Sequence, residues 1–155
     1  MNPKTIKSAL LKITALVAMT LGPLGAQNAE AAPKKQAGPN GGRLIVAVDP
    51  KLEFLVSKDR KVQITALDAE QKPIPLKGYT VSVAAGDRSK PTKLEFTESD
   101  GKLVSSGALP DGNDFPVSVA IKPVAGGKTV YEKFQMNMSN CSSCKYQEYA
   151  CVCDH

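Results

Sequence analysis

The chain has 155 residues, a formal net charge of +5, no tryptophan and 5% aromatic residues. A mild positive excess spread along the chain, with few rings to stack on, excludes nucleic acid as a partner. The four cysteines and the single histidine all fall in the last fifteen residues, which confines any thiol, metal or imidazole chemistry to one end.

Residues 1–31 read as a signal peptide. Lys4, Lys7 and Lys12 give a basic start, Ile13 to Leu21 is apolar apart from Thr14 and Thr20, Gly22-Pro23 ends the run, and Ala29-Glu30-Ala31 is a small-x-small cleavage pattern. The apolar run is too short to span a bilayer and no stop-transfer pattern follows it. The expectation is a periplasmic or secreted protein with no membrane span after cleavage. About 124 residues then remain, enough for one domain with its own core, in a compartment that oxidises thiols.

Residues 32–43 hold Pro33, Lys34, Lys35, Gly38, Pro39, Gly41 and Gly42, a composition that predicts a flexible leader ending in a turn. Within it, Gly38-Pro39-Asn40-Gly41-Gly42-Arg43 resembles the motif near the mature N-terminus of periplasmic adaptor subunits of heavy-metal efflux pumps. It also resembles a leader found in small exported bacterial proteins that combine a β domain with a Cys-rich C-terminus. In the adaptors a histidine commonly precedes the motif; here Ala37 stands there. The resemblance implies metal biology, with a periplasmic metal-efflux component as a partner.

Residues 44–139 read as a β domain. Leu44 to Val48 is a continuous apolar run suited to a buried strand. Period-two alternation follows in Leu52-Phe54-Val56, Val62-Ile64-Ala66, Tyr79-Val81-Val83, Leu94-Phe96 and Phe115-Val117-Val119-Ile121. Turn residues separate these runs at Asp49-Pro50, Lys58 to Arg60, Pro73 to Pro75, Gly86-Asp87, Ser99 to Gly101, Pro110 to Asp114 and Ala125 to Gly127. Short strands with frequent turns and no helical periodicity predict an all-β fold: an immunoglobulin-like antiparallel β-sandwich of about seven to eight strands. Leu109-Pro110-x-Gly112-x-x-Phe115 resembles the turn that enters a late strand in immunoglobulin-like and prealbumin-like sandwiches.

The last predicted strand, 129–138, places Phe134, Met136 and Met138 on one face. Two thioethers at that spacing suit monovalent copper, while core packing beside Phe134 is the plainer reading. Glu132 falls on the same face and calls for a bulge or an edge position. Enzyme chemistry is not expected. No Ser/His/Asp set exists and no Gly-rich loop stands between a strand and a helix. The carboxylates of Asp68, Glu70, Asp87, Glu95, Glu98, Asp111 and Asp114 fall in turns or on polar strand faces, where solvation explains them.

Residues 140–155 are the Cys-rich tail: Cys141-x-x-Cys144, six residues, then Cys151-x-Cys153-x-His155. Asn140 is placed to cap a short helix starting at Cys141. Three chemistries fit. Cys141, Cys144, Cys151 and Cys153, with His155 as a substitute, match the ligand types of zinc, at about 2.3 Å per thiolate, or of monovalent copper and other thiophilic ions. Two disulfides would instead staple the tail, and an even cysteine count in an exported chain favours that. Thiol exchange through Cys141-Ser142-Ser143-Cys144 is the third, without the βαβ context such motifs have. The tail therefore directs the functional expectation to a non-enzymatic metal-binding protein, accessory to metal efflux or resistance, with a disulfide-stapled interaction module as the alternative.

Overall fold

The computed structural model describes residues 36–123 and 125–153; the signal-peptide segment 1–31 and His155 lie outside them. Among the described residues the chain forms ten strands: β1 (Arg43–Ile45), β2 (Lys51–Val56), β3 (Lys61–Leu67), β4 (Pro73–Ile74), β5 (Tyr79–Ala85), β6 (Thr92–Leu94), β7 (Phe96–Ser99), β8 (Lys102–Ala108), β9 (Phe115–Pro123) and β10 (Val130–Met136). One sheet runs β1-β2-β3-β8-β7, with β4 beside β3, and the other runs β10-β9-β5-β6. Every pairing is antiparallel. The fold is an all-β antiparallel sandwich of two sheets.

The two sheets share one core. Ile45, Leu52, Phe54, Val62 and Ile64 meet Val81, Val83, Val117, Val119, Ile121 and Met136 in a single buried cluster. The alternation of β9, with Phe115, Val117, Val119 and Ile121 inward, shows why period two specifies this fold: one face of each strand has somewhere dry to go. Met136 is fully buried within the cluster, so its thioether packs rather than faces solvent.

The strand count exceeds the expected seven to eight because the two-residue β4 forms at an expected turn, and for two further reasons. Leu94 and Phe96 do not share a strand. The chain crosses between sheets at Glu95, so Leu94 ends β6 in one sheet and Phe96 begins β7 in the other. β8 carries no apolar alternation, yet it lies between β3 and β7. Its buried Ser105 hydroxyl accepts the Val62 N–H (2.9 Å) and donates to the Gly107 carbonyl (2.6 Å). This satisfies the backbone where the β3–β8 register shifts between Lys61 and Gln63.

The leader from Gln36 onward is an ordered turn, not a flexible tether. Leu44 N–H donates to the Gln36 carbonyl (3.1 Å), Gly38 N–H to the Gly42 carbonyl (2.7 Å) and Gly41 N–H to the Gly38 carbonyl (3.0 Å). Its organiser is Glu53 on β2, 1% exposed. One carboxylate oxygen accepts the N–H of Asn40 (2.9 Å) and of Gly42 (3.0 Å), and the other accepts the Asn40 side-chain amide (2.7 Å). A buried carboxylate is tolerated when its lone pairs are met in this way. Gly38 and Gly42 press so closely on Glu53 and on the Phe54 backbone that neither has room for a Cβ.

Glu132 lies on β10, at the edge of its sheet. The β9–β10 register is unbroken from Val130↔Ile121 to Met136↔Phe115, so the edge position and not a bulge accommodates it. Its carboxylate pairs with Arg43 at 2.7 Å, joining the edges of the two sheets. Among the described residues no helix is long and apolar enough to cross a membrane.

Candidate metal centre

The tail folds back on the end of β10 as a short hairpin of its own. Asn140 bridges Gln147. Cys141 N–H donates to the Tyr146 carbonyl (2.9 Å), Glu148 N–H to Ser139 (2.9 Å) and Tyr149 N–H to Asn137 (2.9 Å). The helix expected at Cys141 is absent: Cys141 to Cys144 form the tip of this hairpin, and the helical turn is a short 3-10 segment, Glu148–Ala150. The backbone N–H of Ser143 points at the Cys141 sulfur (3.5 Å) and that of Cys153 at the Cys151 sulfur (3.3 Å), an arrangement that suits thiolates better than a helix interior would.

The hairpin is fastened to the sandwich by Tyr149. Its ring is 2% exposed and stands edge-on to Phe54 at 6.2 Å between centroids. Its hydroxyl accepts the Val56 N–H at 3.1 Å. Burial, opposed by that hydrogen bond and reinforced by the Glu53 charge, pushes the phenol pKa up, so the ring stays neutral at any ordinary pH. After Ala150 the Cys151 N–H bonds the Glu148 carbonyl (3.2 Å) and brings Cys151 back beside Cys141.

The result is a compact cluster. The Sγ atoms of Cys141, Cys144, Cys151 and Cys153 all lie within 4.8 Å of one another. Cys141 and Cys151 approach to 3.1 Å and Cys144 and Cys151 to 3.7 Å. Cys141 and Cys151 are buried, while Cys144 and Cys153 reach solvent. The structure thus brings together the four cysteines singled out from the sequence. The fifth candidate, His155, is outside the described residues.

The thiols are not equivalent. A hydrogen bond from the Tyr146 N–H, aided by bonds from Cys141, Cys153 and Cys151, lowers Cys144 from 9.0 to about 7. Cys153 is pushed up to about 12, first by its hydrogen bond to Cys144 and then by that to Cys151. Cys151 is raised, chiefly by its hydrogen bond with Cys141. Of these three thiols Cys144 takes the first negative charge in the metal-free protein, and it is also partly accessible. Brief iodoacetamide treatment at pH 7 without metal is expected to alkylate Cys144 ahead of Cys151 and Cys153, read by peptide mass mapping. Equal labelling of these three would contradict this ordering.

Three residues that shape the site were given no such role from the sequence: Glu53, Arg43 and Tyr149. Glu53 had a signal, a lone carboxylate inside the apolar stretch Leu52 to Val56. Arg43 and Tyr149 had none, because their partners are distant in the chain. Comparison with protein-family models, curated proteins and solved structures finds no match.

Proposed function

We propose that this is an exported, non-enzymatic protein that binds one thiophilic metal ion, zinc or monovalent copper, through Cys141, Cys144, Cys151 and Cys153, and that it sequesters or delivers the ion beside a heavy-metal efflux system. The observation that carries the reading is the mutual approach of four sulfurs within 4.8 Å. An ion with four arms of about 2.3 Å in tetrahedral array sets its ligand atoms about 3.8 Å apart. The 3.1 and 3.7 Å separations here need only small side-chain adjustments to reach that spacing. Soft thiolates equally suit monovalent copper, and His155 is retained as a substitute ligand. Support for export comes from the signal pattern of residues 1–31, and for the efflux link from the Gly38 to Arg43 resemblance.

One observation favours a second reading. Cys141 and Cys151, at 3.1 Å, are close enough to become the first disulfide if oxidation precedes metal, leaving Cys144 and Cys153 as the other pair. The native mass of the protein purified from the exported fraction decides. A reduced chain plus one ion is the expected result. A mass about 4 Da below the reduced chain, two hydrogens lost per disulfide, would make the tail a staple and move function to the sandwich surface.

A further inference from the structure

The Gly38-Pro39-Asn40-Gly41-Gly42-Arg43 turn is spent on none of the chemistry above, yet it is built with unusual care around a buried carboxylate, and its outer side meets the tail. A Cβ placed on Gly41 would stand 3.8 Å from Cδ1 of Tyr146, so the turn backbone lies against that ring. Tyr146 is in turn the residue whose main chain holds the first two cysteines. Its carbonyl accepts the Cys141 N–H at 2.9 Å, and its N–H donates to the Cys144 sulfur. Arg43, which ends the motif and begins β1, supplies a second hold. Arg43 Nη1 donates to the Tyr149 carbonyl at 3.4 Å, while Nε and Nη2 grip Glu132 at 3.0 and 2.7 Å, and the guanidinium lies 4.8 Å over the Phe134 ring.

We infer that this turn, clamped by Glu53, is the platform that positions the cysteine hairpin, so that Asn40 and Glu53 are positioning residues for the thiolate cluster. The inference rests on the metal-binding reading and adds to it a role for the N-terminal motif: pre-organising the ligands rather than supplying one. Outer residues that fix ligand orientation typically account for about 10- to 100-fold in metal affinity.

The contact between Asn40 and Glu53 allows a clean test on the full-length protein. Asn40→Asp replaces the amide donor to Glu53 by a second carboxylate, which repels it and opens the turn at an exposed position. Glu53→Gln alone is tolerated, since the Asn40 amide can rotate to accept from the new Nε2. The double variant N40D/E53Q restores a donor against an acceptor.

Zinc affinity is measured by competition with a chromophoric chelator, and amide hydrogen exchange is followed in parallel across residues 141–151. Asn40→Asp should weaken zinc about tenfold or more with one ion still bound, and speed exchange in the tail while leaving β5 and β9 protected. The double variant should return both to near the parent values. If Asn40→Asp lowers the melting temperature but leaves zinc affinity and tail exchange at parent values, the turn serves the sandwich alone and the inference falls. If the parent binds no zinc or copper, the metal reading fails, and unchanged tail exchange in Asn40→Asp would separately rule out the platform.

Discussion

Zinc binding is expected to weaken by at least about 100-fold for each pH unit lost between pH 8 and 6, because Cys151 and Cys153 alone each release a proton worth a factor of ten per unit. The sign follows from the metal-free thiols. Cys153, at about 12, and Cys151, raised above its ordinary 9.0, both hold their protons throughout that range. An ion must displace both protons, so acid opposes binding and base favours it. Cys144, at about 7, is already mostly ionised at pH 8 and adds its own proton below neutrality, which steepens the acid side. Chelator competition at three pH values, corrected for the chelator's own titration, measures the slope. A flat profile would mean that Cys151 and Cys153 are not ligands. Substitution of either by serine should then leave affinity untouched, whereas on the present reading it removes a thiolate from a shared centre.

Tyr149→Ala is expected to be strongly destabilising although the residue lies in the tail and not in a strand. Removing a large buried aromatic typically costs about 3–5 kcal/mol, and this ring packs edge-on to Phe54, itself stacked edge-to-face with Phe134 at 5.2 Å. Tyr149→Phe keeps the ring and removes the acceptor of the Val56 N–H, which leaves a buried donor unmet at about 1–3 kcal/mol. Urea denaturation followed by far-UV circular dichroism gives both values. The ordering Ala worse than Phe worse than parent identifies the ring and its hydroxyl as separate anchors. Global stability unaffected by Tyr149→Ala would show the tail to be a passive appendage.

The contrast between Tyr149 and β9 explains what the sequence could and could not convey. β9 announces itself because alternation is local: Phe115, Val117, Val119 and Ile121 each need only the neighbouring strand positions to be read as inward. The same logic made the thiol cluster visible, since four cysteines within thirteen positions have few ways to avoid one another. What stayed hidden depends on partners far along the chain. β8 is held in its sheet by Ser105 at a register shift, which no alternation marks. The helix expected at Cys141 lost to the main-chain bonds that Ser139 and Asn137 make with Glu148 and Tyr149: the end of β10 presents an edge, and the tail satisfies it. The Gly-rich leader looked flexible because composition records freedom, whereas the carboxylate that removes the freedom sits 13 residues from Asn40, on β2.

The latch between Arg43, Val56 and Tyr149 also dictates an order of events during folding. These bonds join residues 106 and 93 positions apart, and contacts of that span are slow to form. A growing chain can pair β2 with β3 early, since only a short turn separates them. The Phe54 flank of the core and the buried Val56 N–H wait for a ring that is synthesised about a hundred residues later. A polypeptide interrupted after Met138 would own every strand of the sandwich and the Arg43–Glu132 pair that joins the edges of β1 and β10, yet leave the Val56 N–H and the Tyr149 side of Phe54 uncovered. The segment that carries the thiols is thus also the one that covers this flank of the core, so that completing the fold and assembling the cluster become the same late event.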